Sequence, residues 1–561
     1  MRSSKIAFLL GCTALVCGSL AAPAGAQGTS DAQIQTLQRQ IQLLQQQLNQ
    51  IQREMAARPR AAAPAPTSRA QAAEAARAQA AAQRAEEAAA SAQAAAQQAA
   101  AARQVPAAVA ELPKGTMLVT STKPGQFKIG GVTIQLGGFV ETDMINRSKD
   151  TGNDLATSWN SIPLNNAPAA HMNQFAFSAR ATRVALGVSA DISARYATQG
   201  YVEADFQGAA PTANSVSTNS YNPRLRQAWV NIDDKVWDAS LLGGQTWSLL
   251  TLHKSGITPT STVQPPTIDQ QYLPGYFYAR QAGVRLTKRF TGAGLTVAVA
   301  AENPQATFYA PSSGPAYPAS LGTVTSTISA SNFGGTTSVD VAPDLLAKIA
   351  WDPSFGHFEA FGLLRWIRDR VSVPGGGSND ATIAGGGGVG MFIPVVPKLI
   401  DFQGGAMVGA GIGRYTAGGL PDAIITASGA PKPIPEVAAY AGVVGHVTPD
   451  FDIYAFAGTE QQWRTDYQIG KTGYGLGSPL YTYTSCGTEL GAGGACIGND
   501  TSGLVQGTAG VTWRFLRGPW GALQAGLQYS HTNRNLFSGI GGSPRASLDM
   551  VLGQLRYTPF P

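Results

Sequence analysis

The residues best able to do chemistry are single basic side chains set among apolar ones. Arg183 stands beside Val184 and Leu186, and six basic residues share such a setting: Arg183, Arg285, Lys348, Arg365, Arg514 and Arg556. Alternation with period two puts the apolar neighbours on one face of a strand and the basic group on the other. Guanidinium groups on a wet face pair bidentately with carboxylates, so the pattern predicts a wall that guides anions. The alternative is that these cations only balance acidic residues of the same phase: Glu141, Asp143, Glu203, Asp205 and Glu359.

The other reactive residues do not form a recognisable catalytic pattern. The five histidines are dispersed, without metal-ligand spacing: His171, His253, His357, His446 and His531. The glycine run 385–388 lacks the lysine and the helix that a phosphate-binding loop needs. We therefore predict no enzyme activity, no cofactor and no metal.

The composition excludes several classes of protein. Only 13% of the 561 residues are charged, against about 25% in ordinary soluble domains, and 65 are glycine. The net charge of +6 comes without a dense basic patch, so nucleic-acid binding is not predicted. This balance suits many strands whose surfaces meet something other than water.

From residue 126 the chain reads as strands that must position the basic residues. Sixteen alternating segments are predicted, most of them long enough for the 9–11 residues that a tilted membrane strand needs. They are 132–146, 175–190, 195–208, 224–234, 236–248, 279–290, 294–303, 344–353, 357–370, 384–396, 400–415, 435–448, 451–464, 503–516, 520–532 and 546–558.

Long and short connections alternate between these segments. The long connections 147–174 and 249–278, for example, are followed by the short ones 191–194 and 291–293. This is the pattern of an outer-membrane barrel, with long loops outside and tight turns in the periplasm. A soluble β-sandwich would show the same alternation of faces, but not this alternation of loops. The fold class predicted is therefore an all-β transmembrane barrel of about 16 antiparallel strands.

The N-terminus carries an export signal. Arg2 and Lys5 precede an apolar run from Ile6 to Leu20, and Ala24-Gly25-Ala26 forms a cleavage site before Gln27. Residues 1–26 are thus predicted to be a signal peptide. The alternative, a membrane anchor, would need a longer apolar run of about 20 residues.

A heptad pattern follows the signal. The apolar positions are spaced 3, 4, 3, 4, 3, 4: Ile34, Leu37, Ile41, Leu44, Leu48, Ile51 and Met55. Isoleucine at both core positions favours a trimeric coiled coil over a dimer; the alternative is a lone helix lying on a domain. The predicted order is a periplasmic coiled coil over 27–58, a Pro/Ala-rich spacer over 59–125, and the barrel over 126–561.

Two cysteines remain after the signal. Cys486 and Cys496 lie in the long connection 465–502, which the alternation places outside the cell. Exported thiols at this separation are predicted to form one disulfide; the alternative is two free thiols.

Two motifs carry a family resemblance. Arg224-Leu225-Arg226-Gln227-Ala228-Trp229, followed by Gly243-Gly244-Gln245-Thr246-Trp247-Ser248, resembles the DcaP-like porins. The motif residues are Arg224, Arg226, Trp229, Gln245, Thr246 and Trp247. The resemblance implies a trimeric channel in the outer membrane of a Gram-negative bacterium, associated with dicarboxylate uptake. In such porins the loop equivalent to 249–278 folds into the lumen, which would bring His253, Lys254 and Asp269 to a constriction. The alternative is an ordinary surface loop.

The orientation of two motif arginines is left open by the alternation. Arg224 and Arg226 share a phase with the lipid-facing Val230 and Ile232. They either lie above the bilayer against lipopolysaccharide phosphates, or a bulge turns them inward.

The function predicted is passive diffusion of small anionic, dicarboxylate-like solutes through a homotrimer. Its partners would be outer-membrane lipid, lipopolysaccharide and the solutes. One alternative is a sugar-type porin, for which Tyr201, Phe361 and Tyr454 could supply part of an aromatic track. Another is a trimeric adhesin or a structural protein that tethers the envelope through the coiled coil.

Overall fold

The computed structural model describes residues 119–165, 167–208, 221–311, 313–330, 335–486, 489 and 500–560. The predicted signal peptide, the predicted coiled coil and most of the predicted spacer lie outside the described residues.

Within the described residues, sixteen antiparallel strands form a closed barrel, as the sequence predicted. The strands are β1 (Val132–Arg147), β2 in two pieces (Gln174–Ser178 and Arg183–Asp191), β3 (Tyr196–Asp205), β4 (Arg224–Asp234), β5 (Ala239–Trp247), β6 (Arg280–Phe290), β7 (Leu295–Glu302), β8 (Asp344–Trp351), β9 (His357–Val373), β10 (Gly376–Val396), β11 (Ile400–Ala410), β12 (Pro435–Thr448), β13 (Phe451–Gln462), β14 (Thr501–Gly518), β15 (Gly521–Leu536) and β16 (Arg545–Thr558).

The barrel closes because the last strand pairs with the first. Leu552 of β16 is registered with Ile145 of β1, and Val184 of β2 with Gly138 on the other side of β1. Every other neighbouring pair is also antiparallel. Full closure leaves no unpaired edge strand, which is what a sheet in lipid requires.

Three local features differ from the sequence prediction. β2 is interrupted at 179–182, where Thr182 N–H donates to the Ala179 carbonyl and the chain leaves the sheet for one turn. The predicted connection 371–383 is instead a continuation of β9 and β10, which turn only at 374–375, with Gly375 at φ 86°. A hairpin of Val119–Lys123 and Gln126–Ile129 precedes β1, so pairing begins inside the stretch assigned to the spacer.

The two faces of the wall differ in polarity. Along β8, Leu345, Ile349 and Trp351 are exposed on the outside, whereas Asp344 and Lys348 are buried on the inside. The same alternation recurs around the barrel. An apolar outside and a polar inside is the arrangement expected of a barrel in lipid, and the reverse of a soluble β-sandwich.

Exposed aromatic side chains concentrate near the two rims of the outer face. Those near the short turns are Tyr196, Trp237, Phe290, Trp351, Phe355, Trp513 and Trp520, and those near the long loops include Phe175, Phe177, Trp463 and Tyr529. Aromatic girdles at both interfaces are typical of membrane barrels. In the part of the chain that is described, no helix is long and apolar enough to span a membrane.

The connections alternate in length as predicted, apart from the tight turn between β9 and β10. The long ones carry short elements of their own: 3-10 turns at Trp159–Ser161, Pro168–His171, Ala319–Leu321 and Gly413–Tyr415, and strands Thr323–Thr325, Thr327–Ala330, Gly335–Ser338, Ala423–Ile425, Pro431–Pro433, Thr465–Ile469 and Thr472–Leu476. A 3-10 turn, Thr291–Ala293, makes the short connection between β6 and β7.

Candidate functional site

The connection between β5 and β6, residues 248–279, runs through the inside of the barrel, and we call it the inserted loop. Its backbone reaches distant parts of the wall: Ile268 N–H donates to Gln528 Oε1 of β15 at 2.5 Å, and Gly275 N–H donates to Glu460 Oε1 of β13 at 2.7 Å. Its apolar side chains are fully buried: Leu249, Leu250, Leu252, Leu273, Tyr276 and Phe277. Burial of several such side chains, at about 1.5–3 kcal/mol each, holds the loop inside the lumen.

Glycines on the inner wall let the loop approach closely. An added Cβ at Gly390 would meet Leu252 at 2.8 Å, and one at Gly405 would meet the Phe277 ring at 2.6 Å. At Gly458 it would meet the carbonyl oxygen of Pro274 at 2.0 Å. The glycine-rich strands β10 to β13 therefore form the surface against which the loop packs.

A buried polar group ties the start of the loop to the wall. His253 lies against Glu359, with Nδ1 to Oε2 at 3.3 Å, and Glu359 also accepts from Lys348 Nζ at 2.5 Å. On the other side of Glu359, His357 Nε2 lies 3.2 Å from Oε2. Burial, reinforced by the nearby Lys348 ammonium, lowers the pKa of His253 to about 3, so this imidazole is neutral at neutral pH.

Four arginines gather beside the loop on the wall formed by β2 to β6, and we call Arg183, Arg224, Arg226 and Arg280 the arginine cluster. Arg226 donates from Nε to Glu203 at 2.6 Å and from Nη1 to Asp205 at 2.8 Å. Glu203 also faces Arg183 at 3.7 Å, and Asp205 accepts from Arg224 at 2.6 Å. Three of the four guanidinium groups thus pair with the two carboxylates, and the cluster as a whole has an excess of two positive charges.

A bulge turns Arg226 inward. Glu203 of β3 is registered with Gln227 of β4, but the next residue, Ala204, is registered with Leu225, so Arg226 is the extra residue. The side chain of Arg226 is 2% exposed, whereas that of Leu225 points outward. Of the two orientations that the sequence left open, the structure has the inward one for Arg226.

Arg280 is the least engaged member of the arginine cluster. Its guanidinium lies 4.9 Å from the centroid of the Trp247 ring, and that of Arg226 lies 5.9 Å from the same centroid. It is also 5.8 Å from the Tyr278 ring centroid. Within the described residues, the side chain of Arg280 forms no hydrogen bond or ion pair. The guanidinium groups of Arg226 and Arg280 both lie against the indole of Trp247, and the Arg280 group has no ion pair. A carboxylate would therefore be stabilised at this site.

The six predicted lumen cations all lie on the inner face, and most have an anionic neighbour. Arg556 pairs with Glu141, Arg514 with Asp452 at 2.6 Å and Lys348 with Glu359 at 2.5 Å. Arg365 pairs with Asp422 at 3.0 Å and also holds backbone carbonyls of two connections, those of Gly411 and Gln305. Arg285 donates to the Trp247 carbonyl at 2.6 Å and has no ion pair within the described residues. Most of these cations are thus balanced by inward carboxylates, which is the alternative that the sequence left open.

The other two predicted constriction residues, Asp269 and Lys254, have different surroundings. Asp269 is fully buried and accepts from Thr157 Oγ1 at 2.5 Å, which ties the loop to the connection after β1. Burial raises the pKa of Asp269 despite the neighbouring Arg147. Lys254 is exposed, with Nζ 4.8 Å from the centroid of the Phe392 ring. His253 and Lys254, which are neighbours in the chain, contact Glu359 and Phe392, whereas Asp269 contacts Thr157, so the three side chains do not share one set of contacts.

The motif residues form the strand contact that carries the arginine cluster. Thr246 Oγ1 and Gln227 Oε1 are 3.1 Å apart, and Gln245 Nε2 donates to the Leu225 carbonyl at 3.0 Å. Trp229 stacks on Tyr201, with ring centroids 5.7 Å apart and an interplanar angle of 30°. This pair lines a cavity of about 410 Å³ that also contains Arg183 and Glu203.

Among the described residues, no group of three or more histidine, cysteine or acidic side chains is arranged to hold a metal ion. Cys486 is buried and disulfide-bonded. Cys496 lies outside the described residues, so the pairing of these two cysteines stays a prediction.

Sequence reasoning missed two kinds of residue. Arg280 was not singled out, because strict alternation puts it on the face opposite to the inward Arg285. Arg280 lies at the end of the strand, where the chain turns into the lumen and alternation no longer holds. Glu460 and Asp422 were also missed. Both hold connections to the wall, and no local pattern indicates such a role.

Comparison with known proteins gives a likeness of fold. No family model matches the chain, and no curated protein matches it. The outer-membrane channel DcaP of Acinetobacter baumannii is similar in structure, with a TM-score of 0.53 and 17% identity over 76% of this chain and 97% of that one. An anion-selective porin from Comamonas acidovorans (TM-score 0.40, 10% identity, 76% and 99% coverage) and OmpF of Salmonella typhi (0.40, 11%, 76% and 98%) are also similar. The resemblance to DcaP-like porins predicted from the motifs is thus confirmed at the level of the fold.

Proposed function

We propose that this protein is an outer-membrane channel through which small anionic solutes diffuse. The observation that carries the proposal is the arginine cluster, which places two uncompensated positive charges on the inner wall beside the inserted loop. A carboxylate there gains Coulomb attraction and bidentate hydrogen bonds in a site partly shielded from bulk water. The apolar outer face, the aromatic rims and the closed barrel support placement in a membrane.

The geometry of Arg280 supports a dicarboxylate as the solute. Its guanidinium is unpaired and stacked on Trp247, whereas Arg226 nearby is held by two carboxylates. A dicarboxylate would pair with Arg280 through one end and approach Arg183 or Arg226 with the other.

Reversal potentials in planar bilayers under a salt gradient test the proposal. The wild-type channel should prefer anions, and Arg280→Gln should shift the reversal potential toward cations and weaken block by succinate. Arg370→Gln is the matched control, because Arg370 lies on the exposed part of β9 and bonds Asn379 Oδ1 at 3.0 Å. High salt should reduce the preference, since solvated charges are screened over about 8 Å at physiological ionic strength. A wild-type channel without anion preference would refute the proposal.

A sugar-type channel is the second candidate, favoured by the Tyr201–Trp229 stack at the 410 Å³ cavity. The other two residues of the predicted aromatic track, Phe361 and Tyr454, are buried in the core that the inserted loop helps to form. Block by maltose in place of succinate would favour this candidate.

We also propose that the protein works as a homotrimer joined in the periplasm by the coiled coil over 34–55. The seven apolar seam positions and the isoleucines among them support three strands. Native mass spectrometry of the full protein should give a trimer, and deletion of 27–112 should weaken the trimer but leave a conducting barrel. A dimer would contradict the proposal.

A further inference from the structure

A second cavity, of about 820 Å³, lies at the short-turn end of the barrel, away from the arginine cluster. Its walls come from β10 to β14 and from the inserted loop. Four cations line it, Lys254, Lys398, Arg514 and Arg517, together with His446. The carboxylates that line it are Asp401 and Asp452.

Both carboxylates are already engaged by neighbours. Asp452 accepts from Arg514 Nη2 at 2.6 Å, and its other oxygen lies 2.7 Å from His446 Nδ1. Asp401 lies 3.4 Å from His446 Nε2. Arg517 is likewise paired, with Asp450 at 2.9 Å. The two lining carboxylates and Asp450 therefore pair with the arginines and the histidine, not with the lysines.

The two lysines remain uncompensated. Within the described part of the chain, the side chains of Lys254 and Lys398 form no ion pair and no hydrogen bond, and both are exposed to the cavity, where the Lys254 ammonium lies 4.8 Å from the centroid of the Phe392 ring. Lys398 has φ 66°, a left-handed conformation that favours glycine or asparagine. A lysine held in such a turn at the rim of a cavity is the kind of local strain found at ligand sites.

We propose that this cavity is a second anion site, in which Lys254 and Lys398 bind a small oxyanion carrying two or more negative charges. The proposal rests on the proposed function in that it takes the lumen as a solute path, and it places a second site at the short-turn mouth. Two uncompensated ammonium groups attract a divalent anion about twice as strongly as a monovalent one. Ammonium groups act as compact point charges toward phosphate-like oxyanions, without the planar geometry that arginine imposes.

Isothermal titration of the full-length protein with inorganic phosphate at low salt tests the site. Lys254→Gln and Lys398→Gln should each weaken phosphate binding about threefold to tenfold, as expected for one charge-assisted contact in an open cavity. The double variant should weaken it further, and Lys254→Arg should retain most of the affinity. Lys471→Gln is the matched control, since Lys471 lies in the turn between Thr465–Ile469 and Thr472–Leu476 on the long-loop side.

The outcomes separate this site from the arginine cluster. If the double variant binds phosphate like the wild type, or if the wild type does not bind phosphate, the proposal is overturned. If Arg280→Gln abolishes phosphate binding and the lysine variants do not, phosphate occupies the arginine cluster, and only the second site fails. If the wild type shows no anion preference in bilayers but binds phosphate through the two lysines, the proposed function fails and this site stands.

Discussion

Replacement of Gly458 by alanine tests whether wall contact holds the inserted loop in place. The new Cβ would stand 2.0 Å from the Pro274 carbonyl oxygen and 3.0 Å from Leu273 Cδ1, whereas ordinary contact begins at 3.4 Å. The loop backbone or the wall must therefore move by 3.4 − 2.0 = 1.4 Å. Because the blocking atom belongs to the backbone, no side-chain rotation can relieve the clash.

The displacement also breaks a hydrogen bond to a buried carboxylate. Gly275 N–H donates to Glu460 Oε1 at 2.7 Å, and a shift of 1.4 Å takes this pair beyond hydrogen-bond range. Overpacking costs about 1–3 kcal/mol, and leaving the buried Gly275 N–H without its acceptor costs about 1–3 kcal/mol more, although Glu460 Oε1 keeps the Gly418 N–H at 2.7 Å. If the loop stays packed against the wall, Gly458→Ala should thus lower the free energy of unfolding by about 2–6 kcal/mol. If the loop detaches from the wall, the conductance should change instead.

The assay combines urea unfolding in lipid vesicles with single-channel conductance. Gly362→Ala is the matched control: Gly362 lies in β9, and an added Cβ meets nothing within 4 Å. Gly458→Ala should differ from Gly362→Ala in at least one of the two measurements. If both variants unfold at the same urea concentration and conduct alike, the loop is not held at this glycine and the packing argument is wrong.

Three further predictions concern charge, pH and the disulfide. Arg226→Met should lower the free energy of unfolding in urea by about 3–5 kcal/mol, because it leaves the buried carboxylates Glu203 and Asp205 with less neutralising charge. Arg280→Gln should cost far less, and equal effects of the two substitutions would contradict the pairing described. The pKa of His253 is about 3 in the folded protein against 6.5 ordinarily, so the unfolded chain binds the extra proton between these values. Stability should therefore fall as the pH drops from about 6.5 toward 3, by up to about 1.4 kcal/mol per pH unit, and His253→Gln should flatten that slope in unfolding measured across pH. Mass spectrometry of the unreduced mature protein should show Cys486 and Cys496 joined, in a short closure worth about 2–3 kcal/mol; two alkylatable thiols would count against it.

The architecture of the barrel could be predicted from the sequence because it depends on local patterns. The predicted segments 224–234 and 435–448 coincide with β4 and β12, and the alternation of Leu345, Ile349 and Trp351 with Asp344 and Lys348 assigns the outer face. Period-two alternation is a property of each strand alone, so it does not depend on which strands lie beside it. Turn residues likewise act over a few positions, and they marked the boundaries of most strands.

The state of the charges was decided by the tertiary structure. Alternation placed Arg365 and Arg285 on the inner face, but only the fold shows that Arg365 is neutralised by Asp422 and that Arg285 has no ion pair within the described residues. The bulge that turns Arg226 inward and the stacking of Arg280 on Trp247 depend on the register between strands and on the path of the inserted loop. A charge interaction depends on distances between groups far apart in the chain, and local sequence patterns carry no information about those distances.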